Sequence, residues 1–252
     1  MTADHNNNLD IKNSEYFEQL YSREEEPWEY SKKAVEVLRH EFVVKTACSL
    51  KPNFSRILDV GCGKGQLTFL FNGLAPKIFG IDVSKTAVQQ AESYANKLSQ
   101  HGNPTKADNS QFHFLKTSIT NTAFPDNYFD LILLCDGLEG WHLSMNEKEK
   151  VLAETFRLLM PGGFVILTDY QKPERLSAFE ALVSNSPLKI VRSVYLNDRF
   201  AYQFNSWFKM GEELKIVQRL YANKAIAKGL MKISSFFGKR GSKHFSVIAT
   251  KN

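Results

Sequence analysis

Long apolar runs are missing from this chain of 252 residues. None approaches the ~20 residues that span a bilayer, which argues against a bundle of membrane helices. The polar N-terminus, Met1 to Asp10, lacks the apolar stretch of a secretory signal, so a cytoplasmic location is expected. Cysteine is scarce. Cys48, Cys62 and Cys135 stand far apart, without the close pairs of a zinc site or a disulfide framework; reduced thiols and no bound metal are expected. Acids are absent from the last thirty residues, which carry Lys224, Lys228, Lys232, Lys239, Arg240, Lys243 and Lys251, whereas Glu15, Glu18, Glu24, Glu25, Glu26 and Glu29 crowd the first thirty. That asymmetry, within a formal net charge of +5, can mark an anionic partner but is too weak to demand nucleic acid.

What is present is alternation. After a polar tail (1–13), residues Tyr16 to Val44 read as helical segments interrupted near Pro27, with Ala34, Val35, Leu38 and Phe42 at helical spacing. Short apolar strands are expected at Ile57–Val60, Lys77–Asp82, Phe112–Leu115, Phe129–Leu134 and Phe164–Thr168. Between them, helices are expected to start at Gln66–Asn72, to run over Ser84–Leu98 with Ser84 as its cap, and to run over Lys148–Leu159; His101–Ser110 reads as a polar loop. Strand–helix alternation of this kind implies an α/β fold with a doubly wound, mostly parallel sheet, helices on both faces and a ligand site beyond the carboxyl ends of the strands. Later strands are expected at Leu214–Tyr221 and His244–Thr250. A single domain over 14–252 follows, divided into an N-terminal cover (14–50), a core (55–170), an aromatic-rich insertion or cap (171–213) and late strands with a basic helix (214–252).

The most specific segment is Arg-Ile-Leu-Asp-Val-Gly-Cys-Gly-Lys-Gly, residues 56–65. A buried strand carrying Asp59 enters a turn built on Gly61, Cys62, Gly63 and Gly65, where a nucleoside can lie against bare main chain. The dinucleotide fingerprint would need glycine at position 66, and Gln66 stands there. Asp82 ends the next strand seventeen positions after Gly65, before Val83; a carboxylate there can accept hydrogen bonds from two vicinal ribose hydroxyls. These residues, with Thr117-Ser118-Ile119, the Phe124–Asp130 loop and the turn Leu158–Phe164, resemble the class I S-adenosylmethionine-dependent methyltransferases over residues 55 to 170. The resemblance implies a Rossmann-like core that binds S-adenosylmethionine and releases S-adenosylhomocysteine. It implies that Asp59, Gly61, Cys62, Gly63, Gly65, Asp82 and Val83 hold the donor. Many family members place an acid where Ser118 stands; here Ser118 and Ile119 would hold adenine by hydroxyl, backbone and packing.

Tyr16–Tyr21 and Pro27-Trp28-Glu29-Tyr30 resemble the N-terminal segment of nodulation-type N-methyltransferases and related small-molecule enzymes. By that resemblance Trp28 and Tyr30 close the methionine end of the pocket, although aromatics at a helix start also serve as ordinary packing. A sulfonium donor carries its own leaving group, so the lack of a catalytic triad is expected, and a base is needed only if the acceptor arrives protonated. Asp136 and His142, after the fourth strand, are the candidates to orient or deprotonate it. No Asn-Pro-Pro-Tyr or Asp-Pro-Pro-Tyr segment follows that strand, which turns the expectation from nucleobases toward a small-molecule amine or hydroxyl; the aromatics from Tyr195 to Phe208 would line its pocket or form the core of the cap. The basic stripe of residues 222–240 reads either as a surface helix packed on the sheet or as a contact with anionic lipid. Methylation of RNA or protein by the same fold, a nucleoside-binding protein without methylation, and aminopropyl transfer are the rival readings. Nothing in the sequence speaks to oligomeric state.

Overall fold

A computed structural model describes residues 14–101, 110–138, 143–170, 172–207 and 214–252. The expected tail at 1–13, most of the expected polar loop and the candidate His142 lie outside these residues. Seven strands form one sheet in the order β3-β2-β1-β4-β5-β7-β6. They are β1 (Arg56–Val60), β2 (Lys77–Asp82), β3 (Gln111–Lys116), β4 (Phe129–Cys135), β5 (Leu159–Tyr170), β6 (Lys189–Tyr195) and β7 (His244–Thr250). The first five run parallel, and β7 is inserted antiparallel between β5 and β6. Among the described residues eight α-helices accompany them: α1 (14–23), α2 (Ala34–Leu50), α3 (Lys85–His101), α4 (Met145–Leu158), α5 (Leu176–Ser184), α6 (Arg199–Trp207), α7 (Lys215–Tyr221) and α8 (Lys224–Ser235).

Both faces of the sheet are covered, which explains why its central strands are apolar without alternation. In β4, Leu131 and Leu133 point to one side and pack with Ile57, Ile78, Ile166 and Val43. Ile132 and Leu134 point to the other and pack with Leu58, Val60, Val165 and Leu152. The strand order reverses at β1/β4, so the loops after these two strands diverge and leave a crevice at their carboxyl ends. Because β7 is antiparallel, its first residue, His244, lies at that same end, opposite Tyr170.

Several expectations are corrected. The segment after the glycine turn forms only a short 3-10 turn, Thr68–Phe71, not a helix. It is bracketed by Gly65 and Gly73, both at positive φ, and Phe69 inserts among Tyr94, Phe112 and Phe114. Residues 214–221 are the helix α7 rather than a strand, with Val217 and Tyr221 buried one turn apart. The sixth strand falls instead inside the expected insertion, as β6. It is an edge strand whose Lys189 and Arg192 are exposed, so its sequence carries no apolar run. Helix α4 starts at Met145, earlier than expected. Ser144 and Glu147 form a reciprocal capping box there. Helix α8 packs on α6 and α2 rather than on the sheet, and Ile233, Phe236 and Phe237 stay exposed.

Candidate active site

A cavity of about 750 Å³ opens at the carboxyl end of the sheet, between β1, β2, β4, the start of β7 and the N-terminal cover. That size holds a nucleoside-sized molecule together with a second small one. The glycine turn forms one wall. The amides of Gly61 and Cys62 both donate to the carbonyl of Ile81, tying the turn to the end of β2 (2.8 and 3.0 Å). Gly61 adopts φ +71°, and a β-carbon there would meet nothing within 4 Å. This is open main chain of the kind a nucleoside can approach. Gly63 is different: its face is covered by the Tyr21 hydroxyl. The Asp82 carboxylate accepts from the amides of Gly63 and Ser84, each at 2.9 Å. It therefore fixes the turn as well as facing the cavity, and burial raises its pKa. Asp59 is 2% exposed and accepts from the Thr68 hydroxyl at 2.6 Å; burial pushes its carboxyl up to about 7.

Cys62, Val83, Ser118 and Ile119 line the same cavity. The Ser118 hydroxyl is turned toward Thr120, capping the short turn Ile119–Asn121, and Ile119 belongs to the core. Trp28 and Tyr30 stack on each other (ring centroids 6.1 Å apart) at the rim. The cover that carries them is tied down by polar contacts. Glu18 accepts from both hydroxyls and one amide at the start of α3, Ser84 and Thr86 (2.7–3.1 Å), and these bonds hold its carboxyl down to about 2. Ser14 donates to the carbonyl of Val83, and Gln66 donates to Glu26.

At the far end lies a buried polar cluster. Asp136, in the left-handed region at φ +57°, pairs with the Arg39 guanidinium at 2.7 Å. Arg39 is 2% exposed, bonds Glu36 at 3.0 Å, and leaves Nη1 buried with no hydrogen-bond partner among the described residues. Tyr202 donates to Glu36 at 2.6 Å. His244 holds Asp198 through Nδ1 at 2.6 Å and places Nε2 3.7 Å from Asp136 Oδ1. Of the aromatics expected to line an acceptor pocket, Tyr202 does so. Tyr195 packs against the core, Phe200 packs on Phe237, Phe204 packs on Tyr221, Trp207 is 73% exposed, and Phe208 lies outside the described residues. Glu36, Arg39, Asp198 and His244 were not expected from the sequence. The one available signal was in α2, where Glu36, Arg39 and His40 are interleaved with the apolar Val35, Leu38 and Val43 and are buried with them. Burial beside Arg39 pulls His40 down to about 3, so it stays neutral there.

The donor set fits a positively charged nucleoside. An open glycine backbone and a carboxylate face one end, and six acidic side chains (Glu36, Asp59, Asp82, Asp136, Glu147, Asp169) line the wall beside two full cations, Arg39 and Lys150. Comparison with known proteins agrees. Residues 58–167 match a family described as a methyltransferase domain. The ubiquinone/menaquinone biosynthesis C-methyltransferase of Psychromonas ingrahamii is 26% identical over 196 residues, 76% of this chain and 70% of that protein. Its counterpart from Erwinia tasmaniensis is 28% identical over 159 residues, 62% of this chain and 60% of that one. Among solved structures, the N-methyltransferase NodS of Bradyrhizobium japonicum with S-adenosyl-L-homocysteine superposes with a TM-score of 0.63 at 15% identity, covering 93% of this chain and 97% of that chain. The [4+2]-cyclase SpnF superposes at 0.59 with 18% identity, covering 83% and 80%. At such identities these superpositions speak for the fold alone.

Proposed function

We propose that the chain is a class I S-adenosylmethionine-dependent methyltransferase whose acceptor is a small molecule bearing an amine or a hydroxyl, with the amine favoured. S-adenosylmethionine supplies an electrophilic methyl group on a sulfonium that serves as its own leaving group. The protein's task is to bind, align and keep out water, which can be worth about 7–11 kcal/mol. In this reading Asp82 accepts the ribose hydroxyls, Gly61 lets the donor lie on the main chain, and Ser118 and Ile119 bound the adenine. Asp59, Cys62, Gly63 and Val83 shape that half of the cavity, while Gly65, which does not line it, faces the Phe69 ring. Trp28 and Tyr30 close the methionine end.

The observation that carries the amine is the excess of buried carboxylates around Tyr30, Tyr170 and Tyr202. Part of it suits the cationic donor. The cluster at the far end, Glu36 and Asp136 around Arg39 with Asp169 on the same cavity wall, suits a second cation, and tyrosine faces add to its attraction. Asp136, held by Arg39, orients the acceptor. A carbon acceptor is the second reading, favoured by the C-methyltransferases among the relatives. A screen of amines, phenols and hydroxylated rings with isotope-labelled methyl donor decides between them. The amine reading predicts label on nitrogen; label confined to ring carbon would replace it, and label on RNA or protein alone would overturn the small-molecule reading. Contact with an anionic lipid surface through Ile233, Phe236 and Phe237, flanked by Lys232, Lys239 and Arg240, belongs to the same proposal, because exposed apolar side chains beside clustered cations match such a surface.

A further inference from the structure

The geometry points to His244 as the base that takes the acceptor's proton, with Asp198 as the residue that positions it. The inference rests on the small-molecule reading above and deepens it. Neither residue is near the other in sequence. Asp198 precedes α6, and His244 opens β7, which the antiparallel insertion of that strand brings to the cavity end of the sheet.

Asp198 is 1% exposed. Its carboxylate accepts from the amides of Lys243 (2.7 Å) and His244 (3.1 Å) as well as from the imidazole at 2.6 Å. Three donors to one buried carboxylate favour its ionised form, and its pKa is lowered despite the burial. An ionised carboxylate can only accept, so in the neutral ring the hydrogen of His244 sits on Nδ1 and the lone pair on Nε2. That nitrogen faces the cavity. Around the ring stand Tyr170 from β5 and Tyr202 from α6 (centroids 5.2 and 5.0 Å), Lys243 as its chain neighbour, and Asp136 beyond β4 with Arg39 of α2 behind it.

Asp136 Oδ1 is buried without a hydrogen-bond partner among the described residues and lies 3.7 Å from Nε2. Two acceptors at that separation can be met by two hydrogens of one ammonium nitrogen. A hydroxyl has one hydrogen and can satisfy only one of them. In the proposed step the amine stays bound to Asp136 and gives one proton to Nε2. The pair of electrons of that N–H bond stays on nitrogen, which is then free to take the methyl group. The imidazolium that results is balanced by Asp198 on one side and Asp136 on the other, and its proton passes to solvent.

The test uses the full chain with S-adenosylhomocysteine bound, in wild type, His244→Gln and Asp198→Asn. Two-dimensional nitrogen-15 spectra of the histidines should show His244 protonated on Nδ1 and bare on Nε2 in wild type, with that preference lost in Asp198→Asn. A proton found on Nε2 instead would overturn the inference whether or not an acceptor is known. With any amine that wild type methylates, His244→Gln should lower kcat about 10²-fold or more and remove the acid-side fall of the rate profile, since protonation of the imidazole no longer matters. S-adenosylhomocysteine affinity should change less than threefold. An unchanged kcat and acid limb in His244→Gln would exclude the histidine, leaving the methyltransferase reading intact; loss of S-adenosylhomocysteine binding in wild type would count against that reading instead.

Discussion

Asp59 shows how a single buried carboxyl links sequence to behaviour. In β1 it reads as part of a glycine-turn signature. In the fold it is enclosed with Thr68 as its donor among the described residues, and burial raises it from its ordinary value of 3.8 to about 7. A carboxyl raised on folding keeps its proton in the native state after the unfolded chain has lost it. Its contribution is therefore fully present below about 3.8 and is lost as pH rises toward 7. Asp59→Asn cannot lose that proton. Relative to wild type, its melting temperature should gain steadily from pH 4 to pH 7 and hold a constant advantage above, as scanning calorimetry across that range will show. The residues recoverable from sequence were of this kind: Asp59, Gly61 and Asp82 lie within one strand–turn–strand unit. Of the charged cluster at the far end only Asp136 was expected, because the other members come from α2, the segment before α6 and β7. Only the folded sheet assembles them.

At the scale of elements, the β-α-β core was legible wherever burial on both faces made a strand apolar, as in β4, or wherever a cap marked a helix, as Ser84 marks α3. The exposed edge strand β6 was lost for the opposite reason. Helix α7 was mistaken for a strand because Lys-Ile-Val-Gln-Arg-Leu-Tyr supports either period until its partners are known. The amino ends of the central strands hold a device that sequence gave no reason to suspect. Asp130 of β4 is 5% exposed and accepts from the amides of Ser55 and Arg56 (2.7 and 2.9 Å) and from Lys51 (3.1 Å). Removing it leaves β1 with two amides short of a partner, at a cost of about 1–3 kcal/mol. Asp130→Ala should lower the unfolding free energy by that amount, read as a lower urea midpoint with an unchanged slope, and S-adenosylhomocysteine affinity should hold, since the cavity is at the other end of the sheet.

Across the whole molecule, charge is divided. The acidic N-terminal segment closes on the cavity, where Glu18 and Glu26 accept from the start of α3 and from Gln66, while the acid-free C-terminal segment presents cations and exposed rings on α8 and the turn after it. Among the described residues no helix is long and apolar enough to cross a membrane. Vesicles containing phosphatidylserine should co-sediment the protein at low salt and release it as salt screens the attraction. Neutral vesicles should not, and Phe236→Ser with Phe237→Ser should weaken binding at least several-fold. Equal binding to neutral and anionic vesicles, or none to either, removes the membrane contact from the account.

Everything argued for the catalytic end presupposes that the glycine turn and Asp82 bind the adenosyl part of the donor. Titration calorimetry of S-adenosylhomocysteine into wild type and Asp82→Asn measures this directly. Saturable binding to wild type is predicted, weakened at least tenfold in Asp82→Asn, because the substitution removes the charge from the hydrogen bonds offered to the ribose. Equal affinity in the two proteins, or heat with NAD and none with S-adenosylhomocysteine, would contradict it.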